Sequence, residues 1–300
     1  MNDNVTKSKH KIKNLLESLG LCEGSSVQTY YRRVRDRDDV AVLLCEKTGI
    51  LFLSRSDHIN DAYYKNQDAF NYWWNAKDRE GAKALKHDDD ARRARQFKDY
   101  IRGKRWLDFG TGVGGVLDLL QNIAKEIYAV EPQQDALKTL QGLGYKAYSG
   151  LEVCPEKSFD IITLFHVLEH LPEPIEALIS VREKLRAGGK VIIEVPHARD
   201  FLLKTMNLEN FKAFTFWSEH LMLHTRKSLR VFLEKAGFKK ITVYGYQRFP
   251  FSNHLYWILR GKPGGHKKWK FFNNRLLSVP YDYLLRAINQ TDTLIAIAEK

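Results

Sequence analysis

Cysteine is scarce in this chain: Cys22, Cys45 and Cys154 are the three in 300 residues, and no two form a C-x-x-C pair. That excludes a disulfide framework and a complete four-ligand zinc site. Long apolar runs are missing too, none approaching the ~18 residues that span a bilayer. The opening M-N-D-N-V-T-K-S-K-H-K carries no apolar signal core. Both absences lead us to expect a cytoplasmic chain without a transmembrane segment. Acid is in deficit, with 36 Asp and Glu against 48 Lys and Arg and a formal net charge of +12. The excess is divided among residues 7–13, 92–105 and 262–270. Tyr30-Tyr31-Arg32-Arg33 gives way at once to Asp36, Asp38 and Asp39, the alternation of a solvated surface. Nucleic acid is therefore the weaker partner reading. Scattered basic charge also attracts nucleotide-sugar diphosphates or an anionic membrane face, so peripheral membrane contact stays open.

What is plentiful is apolar material, 44% of residues with 12% aromatic, enough for a buried core in one large domain with additions. The most informative stretch is R-W-L-D-F-G-T-G-V-G-G at 105–115. An apolar strand end delivers Asp108 two residues before Gly110, Gly112, Gly114 and Gly115. Glycines let the chain turn tightly and let a ligand lie against the main chain, while the following helix offers free N–H groups. Gly110, Gly112 and Gly115 also satisfy G-x-G-x-x-G, whose ligand is a pyrophosphate. A carboxylate at 108 would repel that anion and welcome a cationic ligand. Glu131, at the end of the next strand, is placed to accept hydrogen bonds from ribose hydroxyls.

This run resembles motif I of class I S-adenosylmethionine (SAM)-dependent methyltransferases. The resemblance implies SAM as cofactor, held by Asp108, Gly110, Gly112, Gly114, Glu131, Pro132, Leu151 and Phe165, with Glu152 near the adenine pocket but late by a position or more. It also implies a doubly wound, Rossmann-like α/β fold, mostly parallel with a C-terminal antiparallel strand. The chain alternates accordingly. Strands are expected at 106–107, 127–130, 159–164 and 191–195, and helices at 116–123, 135–143 ending at Gly144, and 175–185 stopped by Gly188-Gly189. Segments 241–244 and 293–298 fit a closing antiparallel hairpin, with an insertion at about 247–291 between them. We divide the chain into an N-terminal α+β addition, 1–89, and a methyltransferase domain, 90–300. In the addition, 40–53 reads as two short strands about Lys47-Thr48-Gly49, 61–74 as an aromatic helix, and 77–104 as a charged helix. This part resembles the front segment of a sugar-modifying methyltransferase subfamily in which a zinc ribbon comes first. Cys22 and Cys45 would be its remnant, without partners and without zinc.

Two further segments bear chemistry. In F-H-V-L-E-H-L at 165–171, three roles stay open: His166 as a general base, H-x-x-E-H as a divalent-metal site, or a structural cap. The reading adopted is metal-free. F-W-S-E-H-L at 216–221 resembles an aromatic-x-E-H-L element of sugar-modifying relatives, which implies acid–base roles for Glu219 and His220. A hydroxyl or carbon acid attacking a sulfonium must lose a proton, and a positioned imidazole takes it near its own pKa. Asn253, His254, Tyr256 and Trp257 are either a cover over the acceptor or ordinary core. No N-P-P-Y or D-P-P-Y follows the fourth strand, and Cys154-Pro155 reverses the order used in cytosine methylation.

The expected activity is SAM-dependent O-methylation, less favourably C-methylation, of a sugar in nucleotide-sugar or surface-polysaccharide biosynthesis. His166, Glu219 and His220 would be catalytic, on a small-molecule or glycan acceptor. A small aromatic or quinone-like acceptor, RNA, and SAM binding without turnover are the alternatives. Oligomeric state is not legible.

Overall fold

The computed structural model describes residues 10–59, 61–65 and 76–300. After a first helix, α1 (Lys11–Ser18), the chain forms β1 (Val27–Tyr31), β2 (Val42–Cys45) and β3 (Leu51–Leu53). The two strands expected within 40–53 are β2 and β3, paired antiparallel across the turn where Gly49 takes a positive φ. β1 is an addition to that expectation and pairs with β2. Helix α2 (Asp61–Lys65) covers the front of the aromatic stretch; the expectation for 66–74 lies outside the described residues. α3 (Arg79–Ile101) is the charged helix, opened by the Asp78 carboxylate accepting the Gly81 N–H, a side-chain cap for an otherwise free donor.

The alternating part follows as β4 (Arg105–Phe109), α4 (Gly115–Leu120), β5 (Glu126–Val130), α5 (Gln134–Gly142), β6 (Lys146–Tyr148), β7 (Phe159–Phe165), α6 (Pro174–Lys184) and β8 (Leu185–Pro196). Gly144, with φ +85°, lies just beyond the end of α5. β8 runs back through Gly188-Gly189 rather than starting after them, because the chain pairs with β7 across a register shift between Phe159 and Ile161. The rest is α7 (Phe201–Lys204), α8 (Glu209–Thr215), β9 (Met222–Leu223), α9 (Arg226–Lys235), β10 (Lys239–Tyr246), α10 (Phe251–Arg260), α11 (Gly265–Lys268), α12 (Arg275–Ala287) and β11 (Thr293–Glu299).

The main sheet has the order β10-β11-β8-β7-β4-β5-β6. β8, β7, β4, β5 and β6 are parallel; β11 is antiparallel to both neighbours. This is the doubly wound α/β architecture with its closing hairpin. Alternate side chains of each strand go to opposite layers, as a two-residue period requires. Leu107, Val130, Ile162 and Ile193 pack with α6, α9 and the N-terminal strands. Trp106, Ala129, Ile161 and Ile192 pack with α3, α4 and α5. β7 is buried along its whole length, as a central parallel strand should be.

The N-terminal strands are not a separate layer. β9, two residues long and placed after 216–221, pairs with β3 and completes a four-stranded sheet β1-β2-β3-β9. The apolar core of β2 and β3 is continuous with that beneath the main sheet. Positions 89 and 90, where the sequence reading divides the chain, lie inside α3. No helix among the described residues is long and apolar enough to cross a membrane.

Candidate active site

The C-terminal ends of the parallel strands carry the site, as expected for open α/β sheets. Between β4 and α4 the chain turns through Gly110, Gly112 and Gly114, all at positive φ. Gly110 is needed twice over: its φ is +75°, and a Cβ there would come within 2.5 Å of Val167 Cγ2. The loop is pinned to the next strand, Gly110 N–H donating to Val130 O at 2.8 Å. Arg79 of α3 holds it from the other side, donating through Nε to Val113 O at 2.9 Å.

Two buried acids face this loop. The Asp108 carboxylate accepts from Thr163 Oγ1 at 2.5 Å, and its burial pushes the carboxyl up to about 6. Glu131 accepts the Gly112 N–H at 2.7 Å and the Gln133 N–H at 3.0 Å. Burial raises it as well, against the pull of those two backbone donors. The structure thus brings Asp108, Gly110, Gly112, Gly114 and Glu131 into one cradle. Pro132 follows Glu131, half-buried; Leu151 is buried in a short turn (Leu151–Val153) after β6, and Phe165 is buried at the end of β7. Phe165 stacks on Phe97 at 5.4 Å between ring centres, with the Arg93 guanidinium 5.1 Å away. A buried carboxylate whose pKa is raised in the ligand-free chain gains from a cation beside it. The ammonium and sulfonium of SAM meet that need, so the cradle fits this cofactor.

Beyond β7 the chain bends at His166, whose φ is +57°. That backbone region costs a non-glycine residue on the order of 1–3 kcal/mol. His166 Nδ1 lies 2.8 Å from Glu169 Oε1, and Nε2 lies 2.9 Å from Arg248 Nη1. Arginine only donates, so Nε2 accepts and Nδ1–H donates to Glu169. Both ring nitrogens are engaged. Beside this ring Glu194, fully buried on β8, accepts two hydrogen bonds from Arg92 (2.9 and 2.7 Å) and two from Arg93 (3.1 and 2.8 Å). Burial opposes its charge, but these guanidiniums hold the Glu194 carboxyl well below the usual range. Arg248 also pairs with Asp89 of α3.

Glu219 and His220 arrive from the segment between α8 and β9. Glu219 is buried and accepts from Tyr63 Oη at 2.7 Å. The His220 ring meets the His170 ring edge-on at 4.9 Å and Trp217 at 5.2 Å. Burial lowers both histidine pKa values, His220 well below its ordinary value, so both rings are neutral near pH 7. Burial alone would raise Glu169; its neighbour His166, whose Nδ1–H it accepts, is the main influence that instead brings it down to about 2. Glu169 Oε2, His170 Nδ1 and His220 Nδ1 are buried with no hydrogen-bond partner among the described residues. Each such atom costs about 1–3 kcal/mol.

The structure therefore joins Glu219 and His220 to His170 and Glu169, and places His166 on the far side of Glu169. Asn253, His254, Tyr256 and Trp257 are buried on α10. Trp257 packs on Phe211 and Phe214, and His254 is bonded to Tyr281 and Gln247; these are core contacts of the insertion. Sequence reasoning missed Arg248, Glu194, Tyr63 and the Arg92-Arg93 pair. The available signal was the lone acid within V-I-I-E-V, a charge in an otherwise apolar central strand. Cys22 and Cys45 are buried as neighbours, and burial pushes the Cys22 thiol up to about 12.

Fold and cradle together define a class I SAM-dependent methyltransferase domain, with SAM as its cofactor. The chain belongs to the methyltransferase-domain family whose model matches residues 76–243. It is similar to the tRNA U34 carboxymethyltransferase of Idiomarina loihiensis, 29% identical over 160 residues, covering 48% of each chain. It is also similar to the ubiquinone biosynthesis O-methyltransferase of Nitrosococcus oceani, 28% identical over 131 residues, 40% of this chain and 54% of the relative. The chain thus spans about half the length of the curated relatives it matches. Among solved structures, a SAM-dependent methyltransferase from Archaeoglobus fulgidus shares the fold, with TM-score 0.50 and 21% identity over 74% of this chain and 95% of that one.

Proposed function

We propose that this protein O-methylates a hydroxyl of a sugar-type acceptor, within nucleotide-sugar or surface-polysaccharide biosynthesis. The observation that carries the reading is the corner formed by Glu219, His220 and His170: a buried carboxylate beside two neutral imidazoles, walled by Trp217 and Tyr63. SAM, when bound, supplies a methyl group on a positively charged sulfur. The chain does the rest. Asp108, Glu131 and the glycine turn hold the donor end, and direct displacement gains mostly from alignment. A hydroxyl must also give up its proton, and the Glu219–His220 corner is where the chain can receive it. Aromatic faces with polar tips, as at Trp217 and Tyr63, suit a sugar ring as they suit other polar–apolar ligands.

The N-terminal addition and the insertion at about 247–291 are proposed as walls of the acceptor side. Tyr63 reaches Glu219, and Arg248 reaches His166. His166 is proposed to position Glu169, since its own nitrogens are both engaged.

A second reading is an aromatic hydroxyl, favoured by the relative named for ubiquinone biosynthesis. The experiment is a mass-shift screen of SAM with nucleotide sugars, small dihydroxy-aromatics and RNA, run side by side. Methyl gain on a nucleotide sugar or glycan supports the sugar reading. Gain confined to the aromatics or to RNA replaces it.

A further inference from the structure

We propose that Glu169, His170 and His220 form a binding site for one divalent first-row transition-metal ion. This revises the metal-free reading of H-x-x-E-H and adds a ligand from a distant segment. Glu169 and His170 come from the short turn Leu168–His170 directly after β7, and His220 comes from the segment before β9. One ligand atom from each lies within 4.8 Å of the others.

What argues for a ligand is the state of those atoms. Glu169 is fully buried; one oxygen takes the His166 Nδ1–H at 2.8 Å and the other has no partner among the described residues. The Nδ1 atoms of His170 and His220 are buried and equally without partners among those residues. Two imidazoles and a carboxylate from two segments converge, and in the tautomers that carry the proton on Nε2 both Nδ1 atoms offer an electron pair. Buried polar groups in folded chains are almost always satisfied, and a cation satisfies all three at once.

The donor set selects the ion. Two imidazoles and a carboxylate suit zinc, manganese, iron or cobalt, whereas magnesium and calcium favour oxygen throughout. Bonds of about 2.0–2.2 Å draw the three side chains inward from their present separation. His166 acts as the outer partner that fixes the carboxylate of a ligand, a common arrangement at metal sites. Its bent backbone and its contact with Arg248 hold it in that place.

The role assigned to the ion rests on the proposed hydroxyl methylation; its binding does not. Three protein ligands leave coordination positions open. An acceptor hydroxyl bound there has its pKa lowered. Its oxygen then attacks the donor methyl, the carbon–sulfur bond breaks and S-adenosylhomocysteine leaves neutral at sulfur. The hydroxyl proton passes to Glu219, whose Oε2 lies 3.9 Å from His170 Nδ1. His220 is a ligand under this inference, and Glu219 takes the proton.

The test uses the full chain without a histidine tag, stripped with chelator and titrated with Zn²⁺, Mn²⁺ and Co²⁺ by calorimetry, with neither SAM nor acceptor present. One ion per chain is expected, with visible Co²⁺ bands shifted and intensified relative to the aqueous ion. Glu169→Gln, His170→Ala and His220→Ala should each weaken binding by about 100-fold or more. His166→Ala should weaken it less, by roughly 10–100-fold, as outer partners do. If a variant fails to fold, the Co²⁺ spectrum of the unaltered chain decides. An aqueous-ion spectrum with no binding heat overturns the site, as does binding undiminished in folded forms of all three ligand variants. Metal binding without methylation of any hydroxyl acceptor would sink the proposed function alone. Full O-methylation in chelator, with no metal bound, would sink this inference alone.

Discussion

The proposed donor side and the proposed acceptor side of this site are built by different means. The donor side is main-chain architecture. Glu131 holds two backbone N–H groups, the glycine loop hangs from Val130 O, and Asp108 projects from a strand end. These main-chain contacts lie within 108–133. The acceptor side is side-chain architecture gathered from afar: Tyr63, Arg92, Arg93, Glu169, His170, Glu194, His220 and Arg248 come from six separate stretches. Main-chain geometry tolerates few residue types and so leaves a spacing in the sequence. Side-chain assembly leaves none.

The comparison predicts that the two sides fail independently. His220→Ala should cut turnover by roughly 10²–10⁴, the usual worth of the proton-transfer step that the corner of His220 and Glu219 serves, while SAM affinity by calorimetry stays near the unaltered value. Turnover equal to the parent protein would take His220 out of the chemistry. A matching loss of SAM affinity would mean that the two sides are one unit.

Asp108→Ala should do the opposite. Removing a buried carboxylate that faces a cationic ligand costs ~3–5 kcal/mol, so SAM affinity should drop by about 10²–10⁴-fold. The acceptor corner, reached through Glu169 and Glu219, should keep its fold as judged by near-ultraviolet dichroism of Trp217 and its neighbours. Undiminished affinity would remove Asp108 from the cradle.

These contrasts also explain how far the sequence could be read. The parallel sheet and its closing hairpin were legible because buried parallel strands are near-continuous apolar runs separated by helices; the order of the strands was not. Asp108 and Glu131 were legible because each follows such a run. The N-terminal strands were half legible: β2 and β3 flank a glycine turn, but their partner β9 is only Met222–Leu223, too short for any periodicity. Arg92 and Arg93 read only as part of a basic stretch on a charged helix because their partner, Glu194, is a hundred residues away. His166 was weighed as a base from its type alone; only Arg248, from the far end of β10, shows that its second nitrogen is engaged. Spacing carries local geometry. It carries no knowledge of which strands meet.

The smallest effect expected is in pH, and it sharpens the donor side further. Asp108 titrates at about 6 in the free chain because burial disfavours its charge. SAM carries its charge on sulfur at every pH, and an α-amino group stays protonated below about pH 7.7. Between pH 5 and 7 the ligand is thus constant, and the change falls to the buried acids: Asp108 first, with Glu131 and the neighbouring Asp90, whose carboxyls burial also raises. A cation stabilises the carboxylate and not the carboxylic acid, so binding draws Asp108 toward ionisation and lowers its pKa. By linkage, affinity is flat above pH 6 and falls as pH drops below it, approaching tenfold per unit. Calorimetric titrations from pH 7.5 to 5 should trace that bend. In Asp108→Asn the bend should shrink to what Glu131 contributes, whose carboxyl burial also raises. A bend of the same size in the asparagine variant would assign the charge that SAM meets to Glu131, and would make Glu131 rather than Asp108 the principal acid of the cradle.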